Sequence, residues 1–398
     1  MAIPDSFLRA GFSKEETAKV IYFWESQKQN PFVKTDIDNR LEELFVFFEN
    51  YSISKEQGIK AIVQEPRILF AKTDLMKEHL KQYTVLFDTS LKNLLSAILK
   101  QPSLLCRSPE TVILNVLKCA NMIGVSSHDF LKKGLKHPAL ISLSPETLKQ
   151  HLLSLRKGLS LTKTEFAKVF KKFPNILTRK PESIFKLIDD IAIGLNVPVD
   201  KVRKSFLKAP SLFSFSAENL ISKVVNSADS LKLPPSEMAS VFLSVPTLFE
   251  VKNQTIESNI QQVADVFEVQ PERIIQSFLK LPTLFLCSPK SIKQKYDFYK
   301  QMYLDDVFCF QNEEKKDLSL LRDYILKDPR ETIVNSMHSL QMRRIYGLWL
   351  KASQGSSSQS PVWKRPSKIA EDLRSVPDDF WQNNPLLAQK YKQIQKGK

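Results

Sequence analysis

Glu65-Pro66-Arg67-Ile68-Leu69-Phe70 is the first copy of a hexapeptide whose return decides the fold. It comes back as Gln101-Pro102-Ser103-Leu104-Leu105-Cys106, His137-Pro138-Ala139-Leu140-Ile141-Ser142 and Phe173-Pro174-Asn175-Ile176-Leu177-Thr178. Ala209-Pro210-Ser211-Leu212-Phe213-Ser214, Val245-Pro246-Thr247-Leu248-Phe249-Glu250 and Leu281-Pro282-Thr283-Leu284-Phe285-Leu286 complete the set. The seven prolines stand 36 residues apart without a slip, in a chain with only 22 Pro among 398 residues. A fixed period of this size is the signature of a stacked repeat array, one elongated body with a continuous core.

Working outward from each proline, the residues two and three places on are apolar, and a helix start follows six places on. Ser108-Pro109-Glu110, Ser144-Pro145-Glu146 and Ser288-Pro289-Lys290 put Ser at the N-cap and Pro at the first helical position. Lys180-Pro181-Glu182 and Ser216-Ala217-Glu218 are variants. The acidic residues Asp74, Glu110, Glu146, Glu182 and Glu218 suit the positive end of the helix dipole, so this column reads as structural. The helix runs about four turns and is followed by an apolar residue at Val125, Leu161, Val197, Leu233 and Val269. A shorter helix begins near Ser90, Ser126, Thr162, Pro198 and Pro234 and leads to the next hexapeptide. Its apolar stripe includes Leu94 with Ile98, Phe130, Phe166 with Phe170, Val202 with Phe206, Met238 with Phe242 and Ile274 with Phe278. These phenylalanines read as core wedges between repeats rather than platforms for stacked bases. The predicted fold is therefore all-α: an α-solenoid, or superhelix, of about eight 36-residue helical repeats, of either hand.

Composition agrees. Hydrophobic residues make up 42% and charged residues 25%, the balance of a folded soluble chain, and nine glycines are few for a sheet protein. The net charge of +15 points to a polyanion as partner. Cys106, Cys119, Cys287 and Cys309 form no CxxC and pair with no His, which suits a reducing compartment. No apolar run is long enough for a membrane span. The N-terminus is not Arg-rich and acid-poor as a transit peptide would be, so the expected location is soluble and cytoplasmic as the sequence stands.

The ends depart from the register. Residues 1–30 read as an N-terminal helical cap, opened by the capping box Ser13-Lys14-Glu15-Glu16 and running to about Gln27. Asn30-Pro31-Phe32-Val33 resembles an imperfect first hexapeptide, which starts the array of residues 31–300. Residues 301–350 read as a C-terminal helical cap with Arg343 and Arg344 exposed and Leu348-Trp349-Leu350 buried. The Ser-rich stretch 353–361 reads as a linker within a flexible basic tail, 351–398, a candidate surface for a protein partner.

The unit of Pro-x-apolar-apolar, Ser-Pro-Glu, an apolar helix ending near Gly, and a short helix resembles the repeat of the mitochondrial transcription termination factor (mTERF) family. Asn121-Met122-Ile123-Gly124-Val125 and Ala192-Ile193-Gly194-Leu195 carry the likeness at the helix end, although the Gly slips in register or is missing in several repeats. The resemblance covers residues 31–300. It implies an all-helical protein that binds double-stranded DNA or RNA in a basic groove and acts in organelle transcription, ribosomal RNA maturation or translation. It also makes the mitochondrial or plastid matrix the alternative location. No base-contacting residue can be matched position by position, and none is carried over.

Catalytic signatures are missing: no GxxxxGK, GxGxxG or HExxH occurs, so neither a cofactor nor a small-molecule substrate is expected. His79, His128, His137, His151 and His338 do not cluster in sequence. Asp189-Asp190, Asp305-Asp306 and Asp378-Asp379 are neighbours that a helix points apart.

A charge pattern does stand out. Six residues before each repeat proline the sequence reads Lys60, Ser96, Lys132, Lys168, Lys204, Ser240, Gln276, and two before it reads Gln64, Lys100, Lys136, Lys172, Lys208, Ser244, Lys280. Four residues apart, the two columns share one face of the short helix. Nine of these fourteen are Lys and none is acidic, against 58 Lys plus Arg in the whole chain. A merely solvated face would mix Glu with Lys. The nine lysines, with Arg343 and Arg344, are the expected contacts to a phosphate backbone. A helical-repeat protein binding double-stranded nucleic acid, in transcription termination or RNA maturation, is the leading expectation. A protein-interaction solenoid, a scaffold or effector whose partner is an acidic protein, is the alternative.

Overall fold

The computed structural model describes residues 5–27, 37–304 and 317–327, positions 329, 340–341, 344–346, 348 and 376, and residues 378–396. The expected first hexapeptide at 30–33, the linker 353–361 and Arg343 lie outside the described residues. All regular structure among the described residues is helical, as the repeat reading requires. The chain divides into two compact units, residues 1–190 with 213–215 and residues 191–212 with 216–398.

Each repeat is a long helix, a short helix and a proline turn. The long helices Thr73–Leu86, Pro109–Ile123, Pro145–Gly158, Pro181–Gly194, Ala217–Ser230 and Asn253–Phe267 hold 14 or 15 residues. The short helices Lys55–Gln64, Leu91–Lys100, Ser127–Lys136, Lys163–Lys172, Val199–Lys208, Pro235–Ser244 and Pro271–Lys280 hold ten each. That constancy has a cause at both ends. Ser90, Ser126 and Thr162 accept the amide of the third helical residue and fix the start. The proline fixes the end, because the residue before a proline is pushed out of the α region. Gln101, His137, Phe173 and Leu281 accordingly lie at φ between −128° and −142° with ψ between 72° and 80°.

Pro's own preset φ then starts one tight turn of five residues, a 3-10 turn at Pro66–Phe70, Pro102–Cys106, Pro174–Thr178, Pro210–Ser214, Pro246–Glu250 and Pro282–Leu286. The third copy is instead the short α-turn Ala139–Ser142. In every copy the two apolar residues of the hexapeptide are buried, from Ile68 and Leu69 to Leu284 and Phe285. Successive turns are tied together: Arg107 donates to the Ser142 carbonyl at 2.9 Å, and Ser211 to the Glu250 carboxylate at 2.6 Å.

The long helices end on a residue in the left-handed region. Ser52, Asp88, Gly124, Ser160, Asn196, Lys232 and Glu268 all have φ between 44° and 85°, at the 36-residue period. The next residue closes the helix by donating back: Val125 to Ala120, Leu161 to Arg156, Val197 to Ala192, Leu233 to Ala228 and Val269 to Ala264. This explains the glycine slip. Of the three glycines Gly124, Gly158 and Gly194, the first alone supplies positive φ; Gly158 and Gly194 sit two residues before the left-handed position, at the end of the helix, where a Cβ would fall 2.2 Å from the Phe185 ring and 2.3 Å from Ile221 Cδ1. They permit close packing of neighbouring long helices.

The phenylalanine wedges lie in the core as expected: Phe130, Phe166, Phe170, Phe206, Phe242 and Phe278 are at most 1% exposed. Phe130 stacks on Phe170 of the next repeat at 5.8 Å, while Phe242 meets Phe249 and Phe278 meets Phe285 edge-on. At the N-terminus Ser13 and Glu16 form the reciprocal cap of helix Lys14–Gln27, and Trp24 stacks on Phe70 at 4.6 Å. Within the stretch expected as a flexible tail, Asp378–Asn383 and Pro385–Lys396 are helices joined by a Trp381–Tyr391 stack at 5.0 Å. A Trp and a Tyr ten positions apart, which sequence periodicity does not reveal, make that contact. No helix among the described residues is long and apolar enough to cross a membrane.

Candidate nucleic-acid interface

The fixed start and stop of the short helix decide which side chains face out. Its fourth and eighth positions point into the core, and its sixth and tenth point to solvent. Lys60, Lys132, Lys168 and Lys204 occupy the sixth position; Lys100, Lys136, Lys172, Lys208 and Lys280 occupy the tenth, the last residue of the helix. All fourteen residues of the two columns are exposed. Six of the lysines belong to the first unit and three, Lys204, Lys208 and Lys280, to the second. In the second unit the lysine row is interrupted at Ser240 and Ser244.

Charge is sorted along most of the short helices. Asp129, Glu165, Asp200 and Glu272 lie in first turns and lysines in the last turns of the same helices, each sign at the dipole end that favours it, while Pro235–Ser244 has Glu237 in its first turn and no lysine in its last. Dipole pairing accounts for part of the tenth-position column. A second structural demand acts there too. Gln64 Nε2 donates to the Lys100 carbonyl at 3.0 Å, and Lys280 Nζ to the Lys327 carbonyl at 3.1 Å. Each caps an orphan carbonyl at the end of a later ten-residue helix, Leu91–Lys100 for Gln64 and Leu318–Lys327 for Lys280.

The sixth-position lysines have no such employment. The ammonium groups of Lys60, Lys132, Lys168 and Lys204, and also of Lys100 and Lys136, form no hydrogen bond or ion pair among the described residues. Uncommitted ammonium groups at regular spacing can take phosphate oxygens without first giving up a protein partner.

Two further lysines, missed in the sequence columns, belong to this surface. Lys133 holds the seventh position, where other repeats place Ala61, Ala97, Val169, Ser205, Val241 and Ser277; its ammonium escapes burial by donating to the Lys171 carbonyl at 2.6 Å. Lys171 in turn lies 3.9 Å from Asp129. The signal was a charged residue in an otherwise small or apolar column. The field of the cluster is felt at His137, whose pKa is held below the ordinary imidazole value first by burial and then by Lys100, Lys133 and Lys136.

Arg344 departs from expectation. It is half-buried rather than exposed, its guanidinium 5.9 Å from the centre of the Phe298 ring, because an aromatic face offers a cation a site that solvent-exposed helix does not. It is a packing residue in the second unit.

The histidines, scattered in sequence, acquire a structural role in part. His79 and His151 stand two repeats apart at one position of the long helix and reach the carbonyls of Leu105 (3.3 Å) and Leu177 (2.8 Å) in the proline turns. Lys223, two repeats further, donates to the Phe249 carbonyl at 2.7 Å. Burial lowers the Lys223 pKa, with Glu250 acting in the opposite direction. These side chains close their own repeats and are turned away from polyanion chemistry.

The outer faces of two long helices carry apolar surface. Val85 and Leu86 on Thr73–Leu86 and Ile113 and Leu114 on Pro109–Ile123 line a groove rimmed by Glu78, Lys81 and Glu110. Among the described residues no group of three His, Cys, Asp or Glu side chains is placed to hold a metal ion.

The mTERF family model matches two stretches of the chain, residues 11–158 and 151–310, which together take in all seven proline turns. A search of curated proteins gives no match.

Proposed function

The chain belongs to the mTERF family, and on that premise we propose that it binds double-stranded nucleic acid through the lysine face of its short helices. One observation carries the reading: fourteen register-locked, exposed positions hold nine lysines and no carboxylate. Lysine contacts phosphate as a point charge, so this face supplies affinity and not base recognition. The role we infer is in organelle gene expression, as transcription termination or regulation, or as maturation of structured RNA.

The test is the salt dependence of duplex binding. Changing Lys136, Lys172 and Lys208 together to Gln should weaken binding and flatten the log–log salt slope by up to about three. Folding should hardly change, since exposed substitutions stay within about 0.5 kcal/mol each. A slope equal to that of the parent protein would move the nucleic acid to another face. A protein partner is the second reading, favoured by the apolar groove at Val85, Leu86, Ile113 and Leu114. Partner capture that is indifferent to duplex competitor would support it.

A further inference from the structure

His137 occupies the junction between a short helix and its proline turn, at the C-cap of Ser127–Lys136, with its amide donating to the Lys133 carbonyl at 2.9 Å. It is half-buried, and its neighbours in charge are cationic. Lys133 and Lys136 come from its own helix. Lys100 comes from Leu91–Lys100, the short helix packed alongside, from the position at which Gln64 and Lys280 reach the end of a later ten-residue helix. The turn Ala139–Ser142 has no charge of its own but holds the Arg107 guanidinium on its Ser142 carbonyl at 2.9 Å, and the long helix Pro109–Ile123 brings Glu110 and Lys118. On the far side Lys171 is tied to Lys133 through its carbonyl and pairs with Asp129. The other repeats carry Glu65, Gln101, Phe173, Ala209, Val245 and Leu281 here, so this junction alone combines three lysines with a group that titrates near neutrality.

We propose that His137 is a proton-switched member of the phosphate-binding face: a backbone phosphate seated over Lys100, Lys133 and Lys136 draws a solvent proton onto the imidazole, which becomes a fourth cation. This rests on the nucleic-acid reading above. In the free protein, burial and the surrounding ammonium groups keep the ring neutral at pH 7. A phosphate cancels the field of those lysines and stabilises imidazolium, so the pKa is higher in the complex than in the free protein. Binding then takes up a proton, and affinity rises as pH falls from the pKa of the complex to the lowered pKa of the free protein, and levels off below it.

The experiment measures the dissociation constant of the full chain for a short labelled duplex at constant ionic strength, from about pH 5.5 to 8. The parent protein should tighten on acidification by up to about tenfold per pH unit, the limit for one proton taken up. His137→Gln, which reproduces the residue of the Pro102 repeat and so suits the fold, should lose that part of the slope while binding like the parent at the alkaline end. His137→Lys should bind at the alkaline end as tightly as the parent does at the acidic end. A His137→Gln protein with the parent's full pH slope would overturn the proposal and leave the lysine face standing. Failure of the parent to bind duplex at any pH, even at low salt, would overturn both.

Discussion

The ring of Phe185 fills the space that a side chain on Gly158 would need, its Cζ lying 2.2 Å from the place of a Cβ. One repeat later Ile221 stands in the same relation to Gly194, at 2.3 Å. Gly158→Ala should therefore destabilise by about 1–3 kcal/mol through overpacking, despite a gain in helix propensity of up to about 1 kcal/mol. Gly194→Ala should cost less, because the end of an Ile side chain yields more readily than a ring. Thermal unfolding followed by circular dichroism reads both. An unchanged midpoint for Gly158→Ala would show that the two long helices can part without penalty.

The left-handed residues at the long-helix ends give the opposite prediction. Lys232 and Glu268 hold φ of 53° with full side chains, a conformation that costs an L-residue about 1–2 kcal/mol. Lys232→Gly should stabilise by about 1 kcal/mol after the backbone entropy of Gly is counted, and Glu268→Gly should gain less because it gives up the carboxylate paired with Arg322 at 3.2 Å. Asn196→Gly should gain less, since Asn tolerates this region. Denaturant titration would check the order, and a loss of stability in Lys232→Gly would mean its side chain is held by more than its backbone position.

These two results mark how far the sequence could be read. The period, the helix pair, the caps at Ser90, Ser126 and Thr162 and the burial of Phe206 and its equivalents follow from local rules, because Pro and Ser act on their immediate neighbours. The left-handed column was hidden, since six different residue types occupy it and the backbone bonds that recur beside it leave no letter in the sequence. Gly194 ends its helix as its letter suggests, yet it packs against Ile221 and supplies no positive φ, because a glycine letter does not say whether it is there for φ or for space. In the site, exposure of the lysine columns was legible from spacing. Their division into tied and uncommitted groups was not, because it depends on carbonyls of later helices.

Phe206 is fully buried on the inner face of its short helix. Phe206→Ala should destabilise by about 3–5 kcal/mol, the usual cost of removing a core aromatic ring. Urea unfolding by tryptophan fluorescence and circular dichroism together would measure it and show whether the second unit loosens first. A near-neutral effect would contradict the burial and revive a base-stacking role for the ring.

The His151 bond to the Leu177 carbonyl, at 2.8 Å, makes a prediction at a residue with no part in polyanion binding. His151→Leu leaves that carbonyl without its donor and should cost about 1–3 kcal/mol. His151→Gln, able to donate from its amide, should recover much of the loss. Both should keep the parent's affinity for duplex at low salt. Weakened binding by His151→Leu at a temperature where it is fully folded would give the residue a role the geometry does not show.

The repeated junctions make this chain a set of interchangeable cassettes. Ser108-Pro109 and Ser144-Pro145 open successive long helices with the same cap, so removing the 36 residues between them would rejoin chemically equivalent ends. The shortened chain would keep its caps, its proline stops and its outward lysines in phase. Excision of one residue more would remove Pro145 from the first helical position, and one fewer would double the cap serine, and the fault would be local. A protein built this way can change length in whole steps, and each step adds or removes the outward charge of the repeat concerned, two lysines at Lys132 and Lys136 and none at Ser240 and Ser244.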